Sequence, residues 1–273
     1  MPGSAMWQEQ RSRFIKTFNG IARHKHRFEV FKDFVTMSAI SLHNAVAKSE
    51  ELEAEYMEIV KRYKREEVSQ FPRLLANLVN MLEDEPHDAL GGLYMELELG
   101  NTQNGQFFTP CEVSTLMAKL NYDDQIAELD KPFITLEDPA CGAGGMILAF
   151  VKVMLGYQHN PSERLWARCV DVDRTAALMC YIQLSLWYVP AQIVVGNSLT
   201  LEVRETWHTP AHYVDSWDAK LRLRNLYEQV NQLINPEKMP ATNEVAENRQ
   251  QETPSVSPMD DAEGGLIQFD LGF

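Results

Sequence analysis

The stretch Asp138-Pro139-Ala140-Cys141-Gly142-Ala143-Gly144-Gly145 constrains this chain more than any other. It follows a short apolar, β-branched run ending at Glu137 and precedes an apolar segment, Gly145 to Leu155, that reads as a buried helix. The expected unit is therefore strand, glycine turn, helix. Glycine lacks a Cβ and tolerates positive φ, so the backbone can approach a ligand closely, and a helix start presents N–H groups with no intrahelical acceptor. Asp138, at the end of the strand, would meet a cationic or hydroxylated part of such a ligand. An ordinary strand-to-helix connection has a similar composition, so the turn alone names no ligand.

A second stretch, Gly105-Gln106-Phe107-Phe108-Thr109-Pro110, lies about thirty residues upstream. Thr109-Pro110-Cys111-Glu112 has the form of a capping box: Thr109 as N-cap, Pro110 at the first helical position, Glu112 reaching back. Phe107 and Phe108 sit just ahead, where a ring either covers an adenine or staples the helix to the core.

Together these residues resemble the gamma-type adenine N-6 methyltransferases of DNA, most closely the modification subunits of type I restriction systems. In that family an aromatic-Thr-Pro element comes first and Asp-Pro-x-Cys-Gly-(Ser/Ala)-Gly-Gly second, both lining the S-adenosylmethionine pocket. Asp88 to Tyr94 looks like the family's lead-in helix. The resemblance implies an α/β, Rossmann-like, S-adenosylmethionine-dependent methyltransferase fold, with Phe107, Thr109, Asp138, Cys141, Gly142, Ala143 and Gly144 around the cofactor. It extends to a second strand, Leu165 to Asp171, followed by a helix from about Arg174 to Tyr188. Asp171 then takes the ribose hydroxyls, unless it or Asp173 only caps the next helix. A third strand, Ala191 to Gly196, leads to Asn197, which matches the family's partner for the adenine amine and is also a common turn residue.

The family's catalytic motif, (Asn/Asp/Ser)-Pro-Pro-(Phe/Tyr), is absent from the sequence. In the family those groups accept the hydrogens of a poorly nucleophilic adenine amine and stack on the flipped base. The nearest substitute is Trp207 to Tyr213, where Thr209 and Pro210 would supply a hydroxyl and a carbonyl, and Tyr213 or Trp207 a stacking face. Leu201 to Glu205, before it, reads as too charged and too short for the usual buried strand. One further helix is expected from Trp217 to about Ile234, with an apolar stripe of Leu221, Leu223, Leu226, Val230, Leu233 and Ile234. The fold thus reads as truncated: the half that holds the cofactor is kept and much of the half that holds the base is missing.

Four regions follow: a helical region, 1–100; a methyltransferase-like domain, 101–235; a disordered acidic linker, 236–263; and a terminal peptide, 264–273. In the first, seven basic residues between Arg11 and Lys32 are interleaved with His24, His26, Phe28 and Phe31, a pattern fit for a phosphate backbone or for a solvated helix face beside a packed one. The linker is rich in Pro, Glu, Asn, Gln, Ser and Thr and buries too little apolar surface to fold. At the end, Gln268, Leu271 and Phe273 are similar to the Gln-x-x-Leu-x-Phe peptides that dock on the bacterial sliding clamp, and the alternative is a tail folded back on its own domain.

A net charge of −14 opposes tight nonspecific binding to DNA by the chain alone, so affinity for it would come from restriction-modification subunits or from clamp tethering. No apolar stretch is long enough to span a bilayer and no signal peptide is apparent. Cys111, Cys141, Cys169 and Cys180 lack paired metal spacing and read as reduced thiols of a cytoplasmic protein. Two functions stand open: a DNA adenine methyltransferase with an atypical base site, and a catalytically silent modification-subunit mimic. A small-molecule or RNA amine as acceptor is a third.

Overall fold

The computed structural model describes residues 5–97, 99, 109, 111–122, 126 and 131–234. Phe107, Phe108, Pro110, the acidic linker, and Gln268, Leu271 and Phe273 of the clamp-like peptide lie outside the described residues. Up to Leu97 the described chain is helical: α1 (Ala5–Gly20), α2 (Arg27–Asn44), α3 (Glu50–Val60), α4 (Arg65–Val68), α5 (Phe71–Met81) and α6 (Ala89–Glu96). Local capping explains the boundaries, since Ser49 accepts the Leu52 N–H ahead of α3 and Asp88 accepts the Gly91 N–H ahead of α6. Phe14, Phe18, Phe31 and Phe34 are fully buried; Phe14 stacks on Phe18, and the other ring pairs meet edge to face, Phe14 and Phe34 5.5 Å apart. Arg27, one of the basic residues that suggested a phosphate surface, points its guanidinium at the carbonyls of Phe18, Ile21, Ala22 and Lys25. That group terminates α1, and its neighbours Arg13 and Lys25 pair with Glu9 and Glu29.

The remainder alternates helix and strand: α7 (Cys111–Asn121), β1 (Ile134–Asp138), α8 (Gly145–Gly156), α9 (Pro161–Arg164), β2 (Leu165–Asp171), α10 (Arg174–Leu186), β3 (Ala191–Asn197), β4 (Glu202–His208), α11 (Pro210–Val214) and α12 (Trp217–Ile234). The strands form one sheet in the order β1-β2-β3-β4, the first three parallel and the last antiparallel. This mixed α/β arrangement is consistent with a methyltransferase-like fold.

Residues 202–205, read as too charged for the usual buried strand, do not form one: they belong to β4, at the edge of the sheet. An edge strand has one neighbour and tolerates charge, so Glu202 and Arg204 are exposed while Trp207 alone is buried. The β3–β4 pairing shifts register at Val195 and Gly196, and a Cβ at Gly196 would stand 2.1 Å from the Glu202 carbonyl oxygen, which explains the glycine.

Leu136, Ala167, Cys169, Ile193 and Val195 of the sheet pack with Ile147 and Val151 of α8 and with Leu178 and Ile182 of α10 in one core. α2 packs on α10, so the aromatic cluster of the helical region belongs to that same core. Arg174 ties the parts together, pairing with Glu55 of α3 at 2.9 Å and Glu205 of β4 at 2.8 Å. The chain divides into two compact units, one ending at Asp215 and one beginning at Ser216. On α12, Leu223, Leu226, Val230 and Leu233 of the apolar stripe are exposed. No described helix is long and apolar enough to cross a membrane.

Candidate cofactor site

Because β1, β2 and β3 run parallel, Asp138, Asp171 and Asn197 end their strands at the same edge of the sheet, where α/β folds bind ligands. The glycine turn crosses that edge. Gly142 and Gly144 have φ of +54° and +90°, and a Cβ on Gly144 would lie 2.8 Å from the Cys180 Sγ, so only glycine fits there. The turn is closed by the Gly144 N–H on the Cys141 carbonyl (2.8 Å) and joined to β2 by the Cys141 N–H on the Val170 carbonyl (2.9 Å).

Asp171 accepts the Gly142 N–H at 2.8 Å through one carboxylate oxygen and the Asp173 N–H at 2.8 Å through the other. Asp173 caps α10, accepting from Thr175 and Ala176. Of the two residues Asp173 is the cap, while Asp171 braces the turn.

Asp138 is the most unusual group at this edge. One carboxylate oxygen accepts the Ala140 N–H at 3.1 Å, while the other is buried without a hydrogen-bond partner. Burial, with the negative charges of Cys169 and Asp171 adding to it, pushes its pKa up to about 7. Beneath the turn, Cys141, Cys169 and Cys180 are all buried, and the hydrogen bond between Cys141 and Cys169 pushes the first thiol up and the second down. A buried carboxylate oxygen without a donor is costly unless a ligand supplies one. S-adenosylmethionine, with its ammonium and ribose hydroxyls, carries donors of that kind.

Thr109, from the other motif, lines a cavity of about 130 Å³ together with Asp88, Ser114, Gly145, Lys152 and Trp7. The two motifs, separate in sequence, therefore border one space. Asp88 is held there from two sides, accepting the Gly91 N–H at 2.7 Å and the Gln183 amide at 2.9 Å, and burial raises its pKa. Ser114 is buried with its hydroxyl unpartnered, and His87 accepts the Trp7 indole N–H at 2.9 Å. Sequence reasoning missed Gln183, Ser114, Lys152, Trp7 and His87. For Gln183 the signal was present: a lone amide within a largely apolar helix needs buried partners.

The remaining expected residues behave differently. The Asn197 carbonyl oxygen accepts the Leu199 N–H (2.9 Å) and the Thr200 N–H (3.3 Å), which is its turn role. Thr209, Pro210 and Tyr213 stand at the opposite end of the sheet, because antiparallel β4 returns the chain to the start of β3. Thr209 is buried, its hydroxyl donating to the Val189 carbonyl at 2.7 Å and accepting the Ala191 N–H at 2.9 Å. Pro210 opens α11, and Tyr213 packs edge-on to His43, beside the His208 and His212 rings stacked at 4.2 Å. The structure does not bring these three residues to the glycine turn; they lie at the other end of β3.

Residues 88–220 match the family model described as N-6 DNA methylase. The match starts at Asp88, so it takes in the cavity-lining cap of α6 as well as the sheet, and it supports a DNA N-6 methylase-like function for this segment. No curated protein and no solved structure matches the chain.

Proposed function

We propose that the chain binds S-adenosylmethionine over the glycine turn and acts in adenine N-6 methylation of DNA. The observation that carries this reading is the convergence of Thr109, Asp88 and Gly145, drawn from both motifs, on one cavity; the buried Asp138 oxygen that lacks a donor, at the strand ends, supports it. When bound, the cofactor supplies an electrophilic methyl group on a sulfonium. Asp138 would hold a cationic or hydroxylated part of it, Asp171 the ribose hydroxyls, and the starts of α7 and α8 would close over it through Thr109 and Gly145. Cys141, Gly142, Ala143 and Gly144 would form its floor, and Phe107 a cover for the adenine. Asn197 would reach the adenine through its amide rather than through the carbonyl engaged in the turn.

The test is transfer of a tritiated methyl group from S-adenosylmethionine to unmethylated DNA, with Asp138→Ala as control. Label in adenine that the control lacks supports the enzyme. Unchanged calorimetric affinity of Asp138→Ala for the cofactor would sink the assignment.

The position of Thr209, enclosed at the far end of the sheet, favours a second reading. In it the chain keeps the cofactor site and leaves the base to another subunit, as a modification-subunit mimic in a restriction complex. Cofactor binding without methyl transfer by the chain alone, and transfer on adding partner subunits, distinguishes the two. Gln268, Leu271 and Phe273 would add a tether to the sliding clamp. Clamp pull-down unaffected by Leu271→Ala with Phe273→Ala would remove that partner.

A further inference from the structure

We infer that Gln183 is the positioning residue of the cofactor site, an inference that rests on the S-adenosylmethionine reading above. Its side chain is fully buried and makes four hydrogen bonds. The amide oxygen accepts the N–H groups of Ala89 (2.8 Å) and Leu90 (3.0 Å), and the amide nitrogen donates to the Asp88 carboxylate (2.9 Å) and the Ala143 carbonyl (2.8 Å). Two donors and two acceptors are the whole capacity of a carboxamide, and all are engaged.

These partners belong to two different walls of the site. Asp88, which lines the cavity, forms the start of α6 with Ala89 and Leu90, while Ala143 lies in the glycine turn between the two positive-φ glycines. The Ala143 carbonyl and the Gly144 N–H share one peptide plane, which Gln183 holds at one edge and the Cys141 carbonyl at the other. A glycine-rich turn has many accessible backbone states, so this lock selects the one that faces a ligand. With all four positions taken by protein groups, Gln183 keeps no hydrogen bond for a cofactor. It fixes the spacing between Asp88 and the turn, so that both meet the ligand without reordering.

An ionised glutamate at this position keeps the two acceptors and loses both donors, placing a carboxylate against the Asp88 carboxylate and the Ala143 carbonyl. Protonation restores one donor. The titratable groups around the position are Asp88 and His87 ahead of α6, Cys180 on α10, and Asp138 and Cys141 on the turn side. All are present in wild type and variant, so the ratio of their affinities at one pH isolates residue 183.

The experiment is calorimetric titration of the full chain with S-adenosylmethionine, wild type against Gln183→Glu, at pH 8.0 and pH 5.5, with thermal melts of both. The expected result is a cooperative melt for Gln183→Glu at both pH values. Its affinity falls about tenfold or more at pH 8.0, the effect of losing buried hydrogen bonds, and the ratio to wild type narrows at pH 5.5. Equal affinities at pH 8.0 would overturn the inference. So would a ratio independent of pH, or loss of the cooperative melt, since the residue would then hold the fold rather than the site. Absence of binding by wild type would instead remove the cofactor reading itself. Amide hydrogen exchange covers the case of weak binding: faster exchange in Gln183→Glu confined to residues 88–91 and 141–148 supports the inference, and uniform acceleration counts against it.

Discussion

Asp171, the last residue of β2, accepts the Gly142 N–H at 2.8 Å, so the acid after the second strand and the turn after the first are one mechanical unit. Asp171→Ala removes the acceptor for two backbone N–H groups. It should lower unfolding free energy by about 1–3 kcal/mol and weaken cofactor binding together, whereas Asp171→Asn keeps an acceptor and should lose less of both. Urea unfolding and calorimetry on the two variants check this.

Asp138 sets a pH dependence. Its folded pKa, about 7, is raised above the ordinary carboxylate value, so the folded state binds this proton more tightly than the unfolded one. The penalty for burying its charge is therefore absent near pH 4, grows as pH rises, and is complete above pH 7, at most about 4 kcal/mol. Asp138→Asn should stabilise the ligand-free protein at pH 8 and change it little at pH 4.5. If the ionised form holds a cationic part of the cofactor, wild-type affinity rises from pH 6 to pH 8 and the variant's does not. Denaturant titrations and calorimetry at these pH values decide both halves.

Gly144→Ala puts a Cβ 2.8 Å from the Cys180 Sγ at a φ of +90°. Thermal melts should show a loss of about 1–3 kcal/mol, and adding Cys180→Ala should recover the steric part but not the backbone strain.

Cys111 is exposed and lines the cavity with Thr109, while the other three cysteines are buried. One thiol per chain should react quickly with iodoacetamide in the native protein, and S-adenosylmethionine should slow it. Mass spectrometry of the labelled peptides reads both effects. Rapid labelling of Cys141 would contradict the packing of the turn.

Thr209→Val deletes a buried hydroxyl that joins the start of β3 to the loop before it. It should cost about 1–3 kcal/mol of stability while leaving cofactor affinity unchanged, as measured by melts and calorimetry. A variant with normal stability and no methyl transfer would restore Thr209 to the chemistry.

What could be read in the sequence was what is local. The strand before Asp138, the glycine turn and the helix after it are written in consecutive residues, and the parallel order of the first three strands follows from their crossovers. β4 was missed because its Glu202, Val203 and Arg204 face solvent at an edge, where the alternation that marks a half-buried strand is weak. The placement of Thr209 and Pro210 away from the glycine turn was not legible, because spacing along the chain does not say at which end of a sheet a returning strand delivers its last residue. That Gln183 needs buried partners was legible, but which ones was not, because Asp88 and Ala143 are 95 and 40 residues away.

The packing of α2 on α10, with Arg174 reaching Glu55 of α3, has a consequence for how the chain can be cut. The segment that matches the methylase family begins at Asp88, yet the outer side of α10 is buried by helices that precede it. An expression clone made to the family boundary would leave apolar surface of α10 in water and an arginine without one of its two acids. Such a fragment is expected to aggregate, and the amino-terminal helices act as a built-in chaperone for the fold that carries the motifs.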